Sequence, residues 1–238
     1  MYRALVFKEW RELWWTGAVA LVVLCCVVWN EIGLSVDLET FAVTRHDINQ
    51  IPFRSENMQG AVTVVSCCLA VVLGLWQTLG ESVRGTWRYL RQRPIPFSRL
   101  LLTKGAAGIG LLFFSTGVPL AVYLMWAASE GWHSSPFEWQ MAAPTFLGWA
   151  SSTAAYLAAF LVGIREARWY GSRLWPAAPV VILYLYFGQF EASSFPAGIL
   201  YLYFGQFEAS SFPAGGVILA VAMVLVGAIL YAASERDD

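Results

Sequence analysis

The chain has 238 residues, of which 58% are hydrophobic and only 13% charged, with a net charge of −1. Charged residues make up about a quarter of an ordinary soluble domain, so this chain cannot cover a water-facing surface, and its composition excludes a soluble globular protein. The near-zero net charge gives no bias toward nucleic acid.

Residues 1–13, MYRALVFKEWREL, are amphipathic. Leu5, Val6, Trp10 and Leu13 recur at near-helical spacing, and Arg3, Lys8, Glu9, Arg11 and Glu12 supply a polar side. The pattern predicts a helix lying in the membrane interface. A cleaved signal peptide is the competing reading. The two acids, the tryptophans at 10, 14 and 15 and the lack of a small-residue cleavage site argue against it. A first span follows over 14–29, uncharged, with tryptophan at both ends as interfacial anchors. At 16 residues it is short of the roughly 20 needed to cross a bilayer core, so it borrows flanking residues.

A polar loop covers 30–57, and a second span covers 58–79. A basic segment, 80–103, separates it from a third span over 100–128, which contains Pro119, a residue that usually kinks a membrane helix. A short outer loop leads to a fourth span over 143–164. Its Ala150, Ala154 and Ala158 repeat every fourth position, which suits close helix approach or reflects nothing more than an alanine-rich span. The loop Arg165–Arg173 is basic. A fifth span is expected over 174–190 and a sixth over 216–233, before a charged tail. The fold class expected is therefore an all-α integral membrane protein, one transmembrane domain over 1–238 with six spans. With both termini in the cytoplasm, 13 of the 15 Lys and Arg fall on inner segments and only Arg45 and Arg54 on outer ones, as the positive-inside rule requires.

Residues 182–198 and 199–215 are identical, ILYLYFGQFEASSFPAG twice. Two copies are too few for a solenoid. Perfect identity indicates a recent in-frame duplication or an error in assembling the DNA sequence. Phe-Pro-Ala-Gly at the end of each copy should break a helix, and the expectation is a re-entrant hairpin between spans five and six, tolerated where it packs in protein or lines a cavity.

Catalytic chemistry is sparse. The chain has no G-x-x-x-x-G-K-[ST], no H-E-x-x-H and no G-x-S-x-G, so it is not expected to be an enzyme or to hold a cofactor. Its two histidines, His46 and His133, read as outer-loop residues rather than metal ligands. Cys25-Cys26 and Cys67-Cys68 lie in apolar runs and read as packing residues. Apart from Lys104 at the start of the third span, the spans as drawn contain no charge and no carboxylate, which disfavours a carrier with an intramembrane carboxylate. Gln77, Thr78, Ser66, Ser151, Ser152 and Thr153 are their main polar groups. Glu191 and Glu208, one per repeat copy, are placed at the outer interface.

The most informative stretch is Glu81–Lys104, which carries six of the fifteen basic residues. Val83, Trp87 and Leu90 recur at i, i+4, i+7, with Arg84, Arg88 and Arg91 one residue on. An amphipathic helix of about three turns is predicted, stopped by Arg93-Pro94-Ile95-Pro96. Ser98 is then expected to cap the next span.

This arrangement resembles the permease subunits of ABC-2 type transporters. The likeness rests on an acid (Glu81), Gly85-Thr86, a helix through Leu90 into Arg93-Pro94, Lys104 at the following span, and an N-terminal Lys8-Glu9-Trp10-Arg11-Glu12. It implies an N-terminal elbow helix carrying Lys8, Trp10 and Arg11. It also implies a cytoplasmic coupling helix in which Glu81, Val83, Arg84, Trp87, Arg88, Leu90, Arg91, Arg93 and Pro94 dock on a separate ATPase subunit. ATP and magnesium would be bound by that partner, and the permease would pair with itself or a sister chain in a bacterial-type plasma membrane. The exact repeat departs from the family pattern. A non-transporting scaffold that recruits a cytoplasmic partner or anionic lipid through its basic loop is the alternative, and a secondary carrier is a further one.

Overall fold

The computed structural model describes residues 2–37, 42–45, 52–53, 56–84, 96–129, 137–164, 174–178, 180–181, 218–232 and 234. The elements are α1 (Tyr2–Glu31), a short antiparallel hairpin of β1 (Leu34–Asp37) and β2 (Ala42–Arg45), α2 (Glu56–Arg84), α3 (Phe97–Ala128), α4 (Trp139–Ile164), a 3-10 turn (Trp175–Ala177) and α5 (Ile218–Ala232). Four of the helices are long and apolar enough to cross a membrane: Val6–Glu31, Met58–Gly80, Phe97–Ala128 and Met141–Ile164. The multi-pass α-helical character expected from composition is present. Ile218–Ala232, the expected sixth span, forms a shorter apolar helix. Of the expected fifth span only 174–178 and 180–181 are described, and the duplicated 182–215 lies outside the described residues.

Two boundaries differ from the sequence reading. The expected interfacial helix over 1–13 and the first span over 14–29 form one continuous helix, Tyr2–Glu31. No proline or helix-breaking pair separates Leu13 from Trp14, and Leu13 and Glu9 continue the buried row of Leu24 and Val28 toward the N-terminus. The basic segment is also shorter than 80–103. α2 continues through Glu81, Val83 and Arg84, because nothing before Gly85 breaks it. α3 starts at Phe97, directly after the second proline. Pro96 occupies the N-cap position without a side-chain cap, and its carbonyl accepts from the Arg99 and Leu100 amides. Ser98 falls inside the first turn and is not the cap.

The bundle is built from two parallel helix pairs. In one, α2 lies against α4 at a constant offset of 85 residues: Thr63 faces Gly148, Gly74 faces Ala159 and Thr78 faces Gly163. α2 presents a row of small buried residues at every fourth position, Ser66, Ala70, Gly74 and Thr78. A Cβ on Gly74 would lie 2.8 Å from the Tyr156 carbonyl oxygen and 2.9 Å from the Phe160 nitrogen, so the two backbones touch there. Small residues permit this approach, and dispersion across it drives association where lipid removes the hydrophobic effect. The α4 residues that meet α2 at these points, Gly148, Ala159 and Gly163, are not those of the expected Ala150–Ala154–Ala158 row, although Ala154 and Ala158 are also buried.

The second pair is α1 against α3. Glu9 meets Lys104, Trp10 meets Ala107 and Gly17 meets Leu111. α3 runs without interruption through Pro119. At the end of the bundle away from residues 85–95, Phe53, Leu24, Val28, Met58, Leu120 and Tyr123 form an apolar plug. Phe53 holds a left-handed backbone (φ 60°), its N–H donates to the Tyr123 hydroxyl, and the two rings meet edge to face at 4.8 Å.

Candidate functional site

The opposite end, where residues 85–95 join α2 to α3, is held by polar groups. Glu9, Gln77 and Lys104 each lie seven residues from the end of their helix there, and Tyr156 lies eight from its own. At 1.5 Å per residue the group sits about 10–12 Å inside the bundle. Each residue occupies the buried row of its helix, so the periodicity that places leucines in the core also brings these four together.

Their contacts link the four long helices. Lys104 Nζ on α3 stands 2.9 Å from Glu9 Oε1 on α1, with the two side chains 1% and 3% exposed. Gln77 on α2 donates Nε2–H to the Lys104 carbonyl at 3.4 Å and accepts the Tyr156 hydroxyl of α4 on Oε1. Trp10 Nε1–H reaches the Ala107 carbonyl at 3.2 Å. Gly108 provides the room: a Cβ there would collide with the Tyr156 hydroxyl and Gln77 Oε1. Thr78 turns its hydroxyl back onto the Gly74 carbonyl at 2.8 Å, which leaves Gln77 as the polar link from α2 across the bundle.

Two buried opposite charges avoid the cost that either would carry alone. At 2.9 Å the ammonium and the carboxylate are in direct contact. Beside them lies a cavity of about 10 Å³ lined by Glu9, Glu12, Leu13, Trp76, Gln77, Gly80 and Lys104. That volume is near the minimum for one water molecule.

Most of this was not anticipated. Glu9 entered the sequence reading as a polar-face residue of the N-terminal segment, and Lys104 as the residue at the start of the third span that ends the basic stretch, with no partner foreseen for either. The signal that would have placed them is positional. Glu9 leads the buried row Leu13, Ala20, Leu24 and Val28 of α1, and Lys104 falls between Leu100 and Leu101 and Leu111 on α3.

The sequence-predicted residues are distributed differently. Lys8 forms a loose i, i+4 pair with Glu12 at 3.9 Å on the helix surface. Trp10 is at the edge of the cluster, its ring 6.4 Å from Phe114, and Arg11 is exposed. Glu81, Val83 and Arg84 lie on the last turn of α2. Trp87, Arg88, Leu90, Arg91, Arg93 and Pro94 lie outside the described residues, as do His46, His133, Glu191 and Glu208. Among the described residues, no group of three or more His, Cys, Asp or Glu could hold a metal ion.

Comparison of the chain with protein-family models, with curated proteins and with solved structures finds no match.

Proposed function

We propose that the chain is the transmembrane permease subunit of an ATP-driven exporter of the ABC-2 type, working with a separate cytoplasmic ATPase. In this reading it has six spans, both termini in the cytoplasm of a cell with a bacterial-type plasma membrane, and a second permease as its neighbour. The observation that carries the reading is the position of the buried polar cluster. Residues 85–95 leave α2 seven residues after Gln77 and enter α3 seven residues before Lys104. Gln77 and Lys104 are bonded to each other, and through Tyr156 and Glu9 to α4 and α1. A partner that grips this segment therefore pulls on helices that are cross-linked just inside the bundle. The apolar Trp87 beside Arg88 and Arg91 suits a docked helix anchored by an aromatic and oriented by charge. The first turns of α1, continuous with the span, take the place of a separate elbow.

The test is co-purification from the native host under mild detergent conditions. The wild-type chain is expected to bring down a P-loop ATPase in a fixed ratio, and the Trp87→Ala/Arg88→Ala variant is expected to lose it while remaining folded. Absence of any ATPase from the wild-type preparation overturns the assignment. Retention by the double variant overturns the docking residues alone. The buried Glu9–Lys104 charges favour one rival, a secondary carrier, since intramembrane charge marks ion pathways; that reading requires no ATPase.

A further inference from the structure

We propose that the cavity beside the Glu9–Lys104 pair is a lipid-headgroup site that takes the primary ammonium of a phosphatidylethanolamine molecule. The cavity has a buried floor and an open rim. Glu9, Leu13, Gln77 and Lys104 form the floor. Glu12 of α1 and Trp76 and Gly80 of α2 form the rim. Glu12 and Trp76 are exposed, and a Cβ on Gly80 would meet no atom within 4 Å. The cavity therefore opens sideways, between α1 and α2. Gly80 ends the α2 span, and Trp76 lies one turn inside it. Tryptophan gathers at the level of the lipid headgroups, so headgroups are what pass this opening.

Size and charge select the headgroup. A volume of about 10 Å³ admits one water-sized group. A primary ammonium is that size, and a trimethylammonium is far larger. Glu9 and Glu12 set two carboxylates against the one ammonium of Lys104, so the lining has an excess of negative charge and suits a cation. The Glu9–Lys104 contact stays as it is, because a carboxylate has two oxygens and about four lone-pair sites. The exposed Trp76 ring adds an aromatic surface that attracts a cation. Lys8 stands 3.9 Å from the Glu12 carboxylate with its side chain further into solvent, where the lipid phosphate follows the ammonium by two carbons. A zwitterionic headgroup thus meets charges in its own order, carboxylates inside and lysine outside. Seated there, it ties α1 to α2 at the membrane edge. The site requires a membrane and no ATPase, so it stands or falls apart from the exporter reading.

The test is native mass spectrometry of the full chain in mild detergent. It is titrated with phosphatidylethanolamine, phosphatidylcholine and phosphatidylglycerol that carry the same acyl chains. The wild type should retain phosphatidylethanolamine over phosphatidylcholine on the order of tenfold or more, the scale on which a close-fitting pocket rejects an extra methyl group. Phosphatidylglycerol, which brings no cation, should be retained no better than phosphatidylcholine. Glu12→Gln changes one exposed group and leaves the floor intact, and it should hold the three lipids alike. Gly80→Leu adds a side chain where a Cβ meets no neighbour; it should block the opening and lose the preference too. Equal retention of phosphatidylethanolamine and phosphatidylcholine by the wild type overturns the proposal, as does a preference for phosphatidylglycerol. A phosphatidylethanolamine preference that survives in both variants places the lipid elsewhere and overturns the site. Water-soluble glycerophosphoethanolamine binding as tightly as the lipid overturns the lipid assignment.

Discussion

The two parallel helix pairs solve the same packing problem by different physics. Between α2 and α4 the contact is made by shape: glycine, alanine, serine and threonine in rows, with Gly74 against the α4 backbone. Between α1 and α3 it is made by a buried charge pair, an indole hydrogen bond and a glycine against a leucine end. A shape contact has one register, since a slide of one residue drives a Cβ into backbone. On this contrast α2–α4, backbone against backbone at Gly74, is expected to be the fixed half of the bundle, and α1–α3, held by side chains, the adjustable half.

The largest test of this contrast is removal of the charge from the adjustable half. Lys104→Met leaves Glu9 buried with no ammonium opposite, a loss of about 3–5 kcal/mol. It should appear as a large fall in thermal stability in detergent micelles. Lys104→Met combined with Glu9→Leu should recover most of the loss, because an apolar pair of similar volume is often as stable as the ion pair it replaces. If the double variant is no better than the single one, the interface depends on more than charge and the contrast fails.

The next effect separates the two glycines. Gly74→Ala places its methyl 2.8–2.9 Å from main-chain atoms of Tyr156 and Phe160, which cannot move without parting the helices. Overpacking of this kind costs about 1–3 kcal/mol. Gly17→Ala places its methyl 3.1 Å from Leu111 Cδ1, the far end of a flexible side chain, and gains up to about 1 kcal/mol of helix propensity. Paired melts should show Gly74→Ala destabilised and Gly17→Ala near neutral or stabilised. Equal losses would mean that both interfaces are rigid.

This contrast also explains what the sequence made legible. Spans two to four were readable, because long apolar runs over 58–79, 100–128 and 143–164, charged only at Lys104, leave little choice; the helices found there are Met58–Gly80, Phe97–Ala128 and Met141–Ile164. Their ends differ by up to three residues because caps and prolines decide ends. The polar cluster was not readable by the same rule. Charge was used as a marker of membrane edges, so Glu9 was assigned to a polar face and Lys104 to the edge of the third span. Their position on the buried row says otherwise, but only a partner helix reveals that two such positions meet. The residues of α4 that touch α2 were not picked out for a related reason: alanine is common along the whole span, and only the fit to Gly74 and Thr78 singles out Ala159 and Gly163.

The smallest expected effect lies where the two halves are joined. Gln77 of α2 reaches across to the Lys104 carbonyl of the adjustable half, and Tyr156, in the fixed half with it, holds Gln77 by donating to its Oε1. Tyr156→Phe removes one hydroxyl from a site that is otherwise closed, and leaves Gln77 Oε1 without that donor. The stability loss should be about 1 kcal/mol, the net worth of one hydrogen bond, rising toward 3 kcal/mol if no water replaces the hydroxyl. Stability is the lesser part of the forecast. With Gln77 no longer held by Tyr156, its bond to the Lys104 carbonyl is weakened, so amide hydrogen exchange should quicken in α3 around Lys104 and stay unchanged around Gly74. Equal acceleration at both places would mean that Tyr156 braces the whole bundle, and that the halves are not separate mechanical units.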